Sequence, residues 1–62
     1  MQKIIQTIRY EDLESTPQPE NMLRATMHNM RVDFESLWGC TPEFYIRTQN
    51  GDIYLEAFNR AA

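Results

Sequence analysis

The sequence predicts an α+β fold, a small β-α-β-β domain in which one amphipathic helix packs on one face of a three-stranded, mainly antiparallel sheet. Three patterns predict it: β-branched residues over 3–10, an apolar repeat of three and four residues over 19–38, and alternation around an Asn-Gly turn over 43–58. A chain of 62 residues has the length of one domain, so we expect a single compact domain over 1–62.

The first element is predicted as a strand over residues 3–10. Its segment KIIQTIRY contains three isoleucines and a threonine, whose β-branched side chains suit a pleated backbone. Ile4 and Ile8 share one face of this strand. Ile5 and Arg9 fall on the other, so we expect one face in the core and one toward solvent.

A polar linker is predicted over residues 11–18, because prolines and short polar side chains favour turns over regular structure. The linker leads into a helix. Ser15 or Thr16 would cap that helix through a side-chain oxygen. Pro17 or Pro19 would suit its first turn, where a backbone N–H is not needed.

The helix predicted over 19–38 has one apolar stripe, because its apolar residues recur at steps of three and four. The stripe consists of Leu23, Met27, Met30, Phe34, Leu37 and Trp38. Gly39 and Pro42 follow the last stripe residue and give the expected helix end. We expect this stripe to cover one face of the sheet.

A β-hairpin is predicted over 43–58, because Asn50-Gly51 is typical of a two-residue turn between strands. The loop length sets the register, since a slip of one residue would mix the apolar and polar sets. The side facing the helix pairs Thr48 with Ile53, Ile46 with Leu55, and Phe44 with Ala57. The other side pairs Tyr45 with Glu56 and Arg47 with Tyr54, with Phe58 near the end.

The strand order remains open at this point, although a central third strand would make every pairing antiparallel. The expected core combines the helical stripe with the apolar residues on one side of the sheet. These sheet residues are Ile4, Ile8, Phe44, Ile46, Ile53 and Leu55.

Composition argues against catalysis and metal binding. The chain has one cysteine and one histidine, too few for an intramolecular disulfide or a four-ligand zinc site. Cys40 lies beyond the helix end and His28 on the helix flank, with no third residue to orient the imidazole. We therefore expect no catalytic residue, no metal and no cofactor. A reducing cytoplasm is the expected compartment, because no stretch approaches the ~20 apolar residues of a membrane span.

Charge and size favour a protein partner. The net charge of −3 opposes bulk attraction to nucleic acids and anionic membranes. A chain this short buries only about 60% of its extended surface, and it has no disulfide or metal to compensate. We therefore expect either a homodimer or binding to a larger protein.

The predicted outer face of the sheet is the candidate binding surface, because it combines aromatic, aliphatic and charged side chains as interface cores do. Its residues are Ile5, Arg9, Tyr45, Arg47, Tyr54, Glu56 and Phe58. A stacking platform for single-stranded nucleic acid is a second interpretation, which the acidic net charge disfavours. In a third, Arg47 stacks on Tyr54 and the face binds nothing.

An acidic loop is predicted at Glu11, Asp12 and Glu14. Such carboxylates can imitate nucleic-acid phosphates and occupy a basic groove on another protein, or they can be a solvated segment near a helix N-terminus. The expected function is a small noncatalytic protein-binding module that inhibits or modulates a larger protein, of the kind carried by phages and mobile elements. That comparison is an analogy of size and charge. A homodimeric structural or regulatory protein is the alternative.

Overall fold

The computed structural model describes residues 2–59 and contains one long helix packed with a three-stranded antiparallel sheet. The elements are β1 Gln2–Arg9, α1 Tyr10–Ser15, α2 Pro19–Trp38, β2 Glu43–Gln49 and β3 Asp52–Asn59. The strand order is β1-β3-β2, so the central β3 pairs antiparallel with both neighbours. The predicted α+β class and the β-α-β-β arrangement are confirmed.

The long helix α2 begins and ends at the residues that the sequence indicates. Pro19 opens its first turn, where the missing N–H has no cost. The prediction that Ser15 or Thr16 caps this helix is wrong, because the N-cap residue is Gln18 and it forms no side-chain capping bond. The Ser15 hydroxyl instead donates to the carbonyl of Asp12 at 3.0 Å.

At the other end of α2, Gly39 adopts the left-handed conformation with φ of 71°. Its N–H donates to the carbonyl of Glu35 at 2.8 Å, which satisfies one of the last carbonyls of the helix. Pro42 follows and is buried. The chain therefore leaves α2 where predicted and enters β2.

The segment predicted as a linker contains the short helix α1. Tyr10 belongs to this helix and not to the first strand, and its N–H donates to the carbonyl of Gly51 at 2.9 Å. Leu13 packs against the core with its side chain partly buried. A six-residue helix is too short to show an apolar period, so contacts made by tertiary folding decide its conformation.

The core lies between α2 and the strands β1 and β3, because the long helix packs against those two strands. Its buried apolar residues are Ile8, Met30, Phe34, Ile53, Leu55 and Ala57. Partly buried residues surround this cluster, including Ile4, Leu23, Met27, Trp38 and Phe44.

Two residues expected in the core are largely outside it. Ile46 is 50% exposed, because it lies on the edge strand β2 beyond the cover of α2. Leu37 is 66% exposed. Adjacent residues of a helix point about 100° apart, and Trp38 takes the inward position with its ring centroid 4.5 Å from that of Phe34.

The hairpin has the predicted register. Gln49 pairs with Asp52 on either side of a two-residue turn, and both turn residues have positive φ, 54° at Asn50 and 79° at Gly51. Such a turn matches the right-handed twist of the flanking strands. All five cross-strand pairs expected from the sequence are present.

Candidate functional site: the outer face of the sheet

The outer face is the side of the sheet turned away from α2. Directly paired residues of antiparallel strands share a face, so the two registers together define its rows. The central row runs Ile5, Glu56, Tyr45, and the next runs Thr7, Tyr54, Arg47. The structure thus brings the seven predicted binding residues onto one face, with Phe58 and Arg9 toward opposite ends of it.

The central row places a carboxylate between two large exposed side chains. Ile5 is 51% exposed and Tyr45 is 54% exposed. The Glu56 side chain between them is only 17% exposed, and its Oε1 lies 4.0 Å from Nζ of Lys3. The centre of the outer face therefore combines accessible apolar surface with a partly desolvated acid, a combination that favours a partner able to donate hydrogen bonds.

The second row is held by an aromatic contact. The guanidinium carbon of Arg47 lies 4.8 Å from the centroid of the Tyr54 ring, within the range of a cation–π interaction. Its Nη1 also donates to Oε1 of Gln49 at 3.1 Å. These two contacts orient the Arg47 side chain along the sheet, so part of its side-chain entropy is already lost before any partner binds.

Arg9 and the acidic residues lie together at one end of the molecule. Nη1 of Arg9 is 3.4 Å from Oε1 of Glu11, and both side chains are mostly exposed. The predicted acidic loop is in fact the helix α1, which carries Glu11, Asp12 and Glu14 on its exposed surface. With Asp52 of the hairpin, part of this set borders an open depression of about 540 Å³. Because Arg9 is already paired, this end of the sheet is locally acidic.

A second surface, which the sequence reasoning missed, lies between α2 and β2. A groove of about 230 Å³ is lined by Arg24, Met27, His28, Arg31 and Phe44. The spacing of the basic residues by four and three along one flank of the helix is visible in the sequence. The sequence does not show that β2 is left uncovered beside that flank.

Cys40 belongs to a small hydrogen-bonded group of side chains that connects three parts of the fold. Nδ2 of Asn59 donates to Sγ of Cys40 and to Oε1 of Gln2, each at 3.2 Å. These contacts join the start of β1, the end of β3 and the segment after α2. Among residues 2–59, no group of three His, Cys, Asp or Glu side chains is placed to hold a metal ion.

Comparison with known proteins identifies no related protein. No protein-family model, no curated protein and no solved structure matches the chain. Neither helix in the described part is both long and apolar enough to cross a membrane. The exposed side chains of the outer face and of the groove are therefore the basis for inferring a function.

Proposed function

We propose that this protein is a small noncatalytic binding module that docks on a larger protein through the outer face of its sheet. Ile5 and Tyr45 support this proposal, because they leave apolar surface exposed on either side of Glu56. Exposed apolar patches with polar surroundings are typical of protein interaction sites. Tyrosine and arginine are also the residues that most often dominate binding energy at such sites.

The small core gives a physical reason for docking. Six of the described residues form the buried cluster, which is a small core for a chain whose burial on folding is limited by its length. Covering roughly 100 Å² of apolar surface contributes about 2.5 kcal/mol. A partner that covers Ile5 and Tyr45 therefore stabilises this fold as well as binding it.

Single-stranded nucleic acid fits the outer face less well. Two cations at the face have acidic neighbours: Lys3 lies beside Glu56, and Arg9 lies beside Glu11. Arg47 is already stacked on Tyr54. Among residues 2–59, the cations of the outer face are thus already engaged in other contacts, whereas neutralisation of phosphates supplies most of the affinity of such binders. Action as an inhibitor or modulator in a reducing cytoplasm remains part of the proposal.

The test is affinity capture from lysate of the native host, followed by mass spectrometry. We expect one stoichiometric partner, which Tyr45→Ala and Tyr54→Ala each remove. Tyr10→Ala is the matched control, because the exposure of Tyr10, 49%, is close to the 54% of Tyr45, but Tyr10 lies on α1 and outside the outer face. Retention of the partner by both outer-face variants would contradict the proposal. A wild-type chain that light scattering shows as a dimer, and that Tyr45→Ala returns to a monomer, would make the partner a second copy.

A further inference from the structure

The open edge of β2 has the geometry of a strand-binding site. Gln49 and Asp52 flank a two-residue turn and so form a hydrogen-bonded pair. Because such pairs alternate along an antiparallel ladder, Phe44, Ile46 and Thr48 direct their backbone N–H and C=O groups away from β3. Those groups point outward at the edge of the sheet, where an extended chain can pair with them.

A row of basic side chains stands beside this edge. Arg24, His28 and Arg31 line the groove on the flank of α2 that faces β2, with Met27 and Phe44 as its apolar floor. Within the described part of the chain, none of the three basic side chains forms an ion pair or a side-chain hydrogen bond. In a protein with a net charge of −3, this groove concentrates positive charge that no side chain of residues 2–59 pairs with.

The direction of α2 aligns the basic row with β2. Cys40, just past the end of α2, lies with its Sγ 3.8 Å from Oε1 of Gln2 at the start of β1. The helix therefore runs opposite to β1, and β2 has the same direction as β1 because both are antiparallel to β3. Arg31 therefore lies nearer the start of β2 than Arg24 does, and both line the groove together with Phe44.

We propose that this edge binds an extended acidic segment of another protein, which adds to β2 as a fourth strand and places carboxylates against Arg24 and Arg31. Residues of the added strand on the helix side would lie opposite Phe44, Ile46 and Thr48. An aliphatic residue opposite Ile46 covers its exposed side chain. Acidic residues on either side of that aliphatic residue reach the two guanidinium groups.

The geometry of the helix and of a β-strand sets the expected spacing between the two acidic residues of the bound segment. Arg31 comes seven positions after Arg24 in the helix, which corresponds to about 10.5 Å along the helix axis. Two strand residues four positions apart are separated by about 13 Å. The long arginine side chains span this difference, so the segment should read acid-x-aliphatic-x-acid. This surface is separate from the outer face, and the inference does not depend on the proposed function.

A second copy of this chain suits the edge less well than an acidic segment does. On its helix side, β2 carries Phe44, Ile46 and Thr48, which offer no carboxylate to the arginines of a partner. Antiparallel pairing of two copies of β2 would also place both basic rows on the same side of the joined sheet, where like charges repel. Charge complementarity therefore selects an acidic strand from a different protein.

The test uses the fluorescently labelled peptide TETITET, with TQTITQT and TKTITKT as matched controls. We expect saturable binding of the acidic peptide by fluorescence anisotropy, weakened about ten-fold or more by Arg24→Glu or Arg31→Glu and by the Gln control. The same affinity should fall with added salt. Replacing the isoleucine of the peptide by valine should weaken binding far less than replacing both glutamates.

Two further measurements test whether the peptide pairs with the backbone of β2 and whether its binding is independent of the outer face. A peptide with N-methylated backbone groups on the edge facing β2 should lose binding, because the strand hydrogen bonds can no longer form, while the protein itself is unchanged. Tyr54→Ala should leave peptide binding intact, which keeps this test independent of the outer face. Absence of binding at millimolar peptide, equal binding of the Glu and Gln peptides, or a dimer that buries β2 would each overturn the proposal.

Discussion

Arg47 stacks on the ring of Tyr54, its direct partner across the β2–β3 pair, with the guanidinium carbon 4.8 Å from the ring centroid. The contact lies on the outer face, the side of the sheet turned away from α2. A cross-strand pair of this kind stabilises the hairpin and fixes the orientation of a side chain that a partner would meet. Stability and the proposed binding therefore depend on the same two residues.

The first prediction concerns the strength of this pair. In a double-mutant cycle with Arg47→Ala and Tyr54→Ala, we expect a coupling energy of about 0.5–1 kcal/mol, the usual size of an exposed cation–π contact. Urea unfolding followed by circular dichroism measures each free energy of unfolding. A cycle between Arg47 and Tyr10 is the control, because Tyr10 lies on α1, outside the β2–β3 pair to which Arg47 and Tyr54 belong. If the effects of the two substitutions are strictly additive, the stacking of Arg47 on Tyr54 contributes nothing to the free energy of unfolding.

The second prediction compares two identical substitutions at sites of opposite burial. Leu55→Ala removes a fully buried side chain from the centre of the sheet and should lower the free energy of unfolding by about 2–5 kcal/mol. Leu37→Ala removes a side chain that is mostly exposed, so its effect should stay within about 0.5 kcal/mol. Urea melts of both variants give the comparison. Similar losses for the two would mean that Leu37 packs against the core in solution.

The elements predicted best are those whose signals are local. The 19–38 helix has a long apolar period together with Pro19 at its start and Gly39 at its end, so sequence alone gives its bounds. The register of the hairpin follows from Asn50-Gly51, because turn length decides which side chains share a face. The residues of the outer face could be grouped for the same reason, because the alternation along each strand decides which of them share a face, wherever the helix lies.

The features that were missed depend on how elements are placed in space. The alternation of apolar and polar residues along β2 puts Ile46 on the helix side of that strand. It does not indicate which strands the helix covers. The groove beside Arg24 and Arg31 exists because α2 packs mainly over β1 and β3 and leaves every residue of β2 except Phe44 exposed. The short helix α1 forms where its first N–H reaches Gly51, a contact between distant parts of the chain.

The third prediction tests the end of α2. Gly39 has φ of 71°, and a Cβ added there would meet no neighbouring atom, so the cost of substitution is confined to the backbone. Gly39→Ala should destabilise the fold by about 1 kcal/mol. Gly39→Asn should cost less, because asparagine tolerates the left-handed conformation better than alanine. Thermal and urea melts rank the two variants, and an alanine variant as stable as wild type would exclude a left-handed residue at this helix end.

The last prediction concerns the unequal stability of the two helices. The six residues of α1 have no side-chain cap, and Leu13 supplies their contact with the core cluster. By contrast, α2 buries Met30 and Phe34 completely. We therefore expect amide hydrogens of α1 to exchange by local opening, whereas those in the middle of α2 exchange only through global unfolding. Native-state hydrogen exchange by NMR measures both.

A matched pair of variants makes this last test specific. Leu13→Ala should speed exchange in α1 further and leave the exchange rates at Phe34 nearly unchanged, because α1 opens independently of the core. Glu14→Ala, at an exposed position of the same helix, should change neither set of rates appreciably. If Leu13→Ala accelerates exchange equally in α1 and α2, then α1 unfolds together with the rest of the molecule, and its contact with Gly51 is part of the cooperative core.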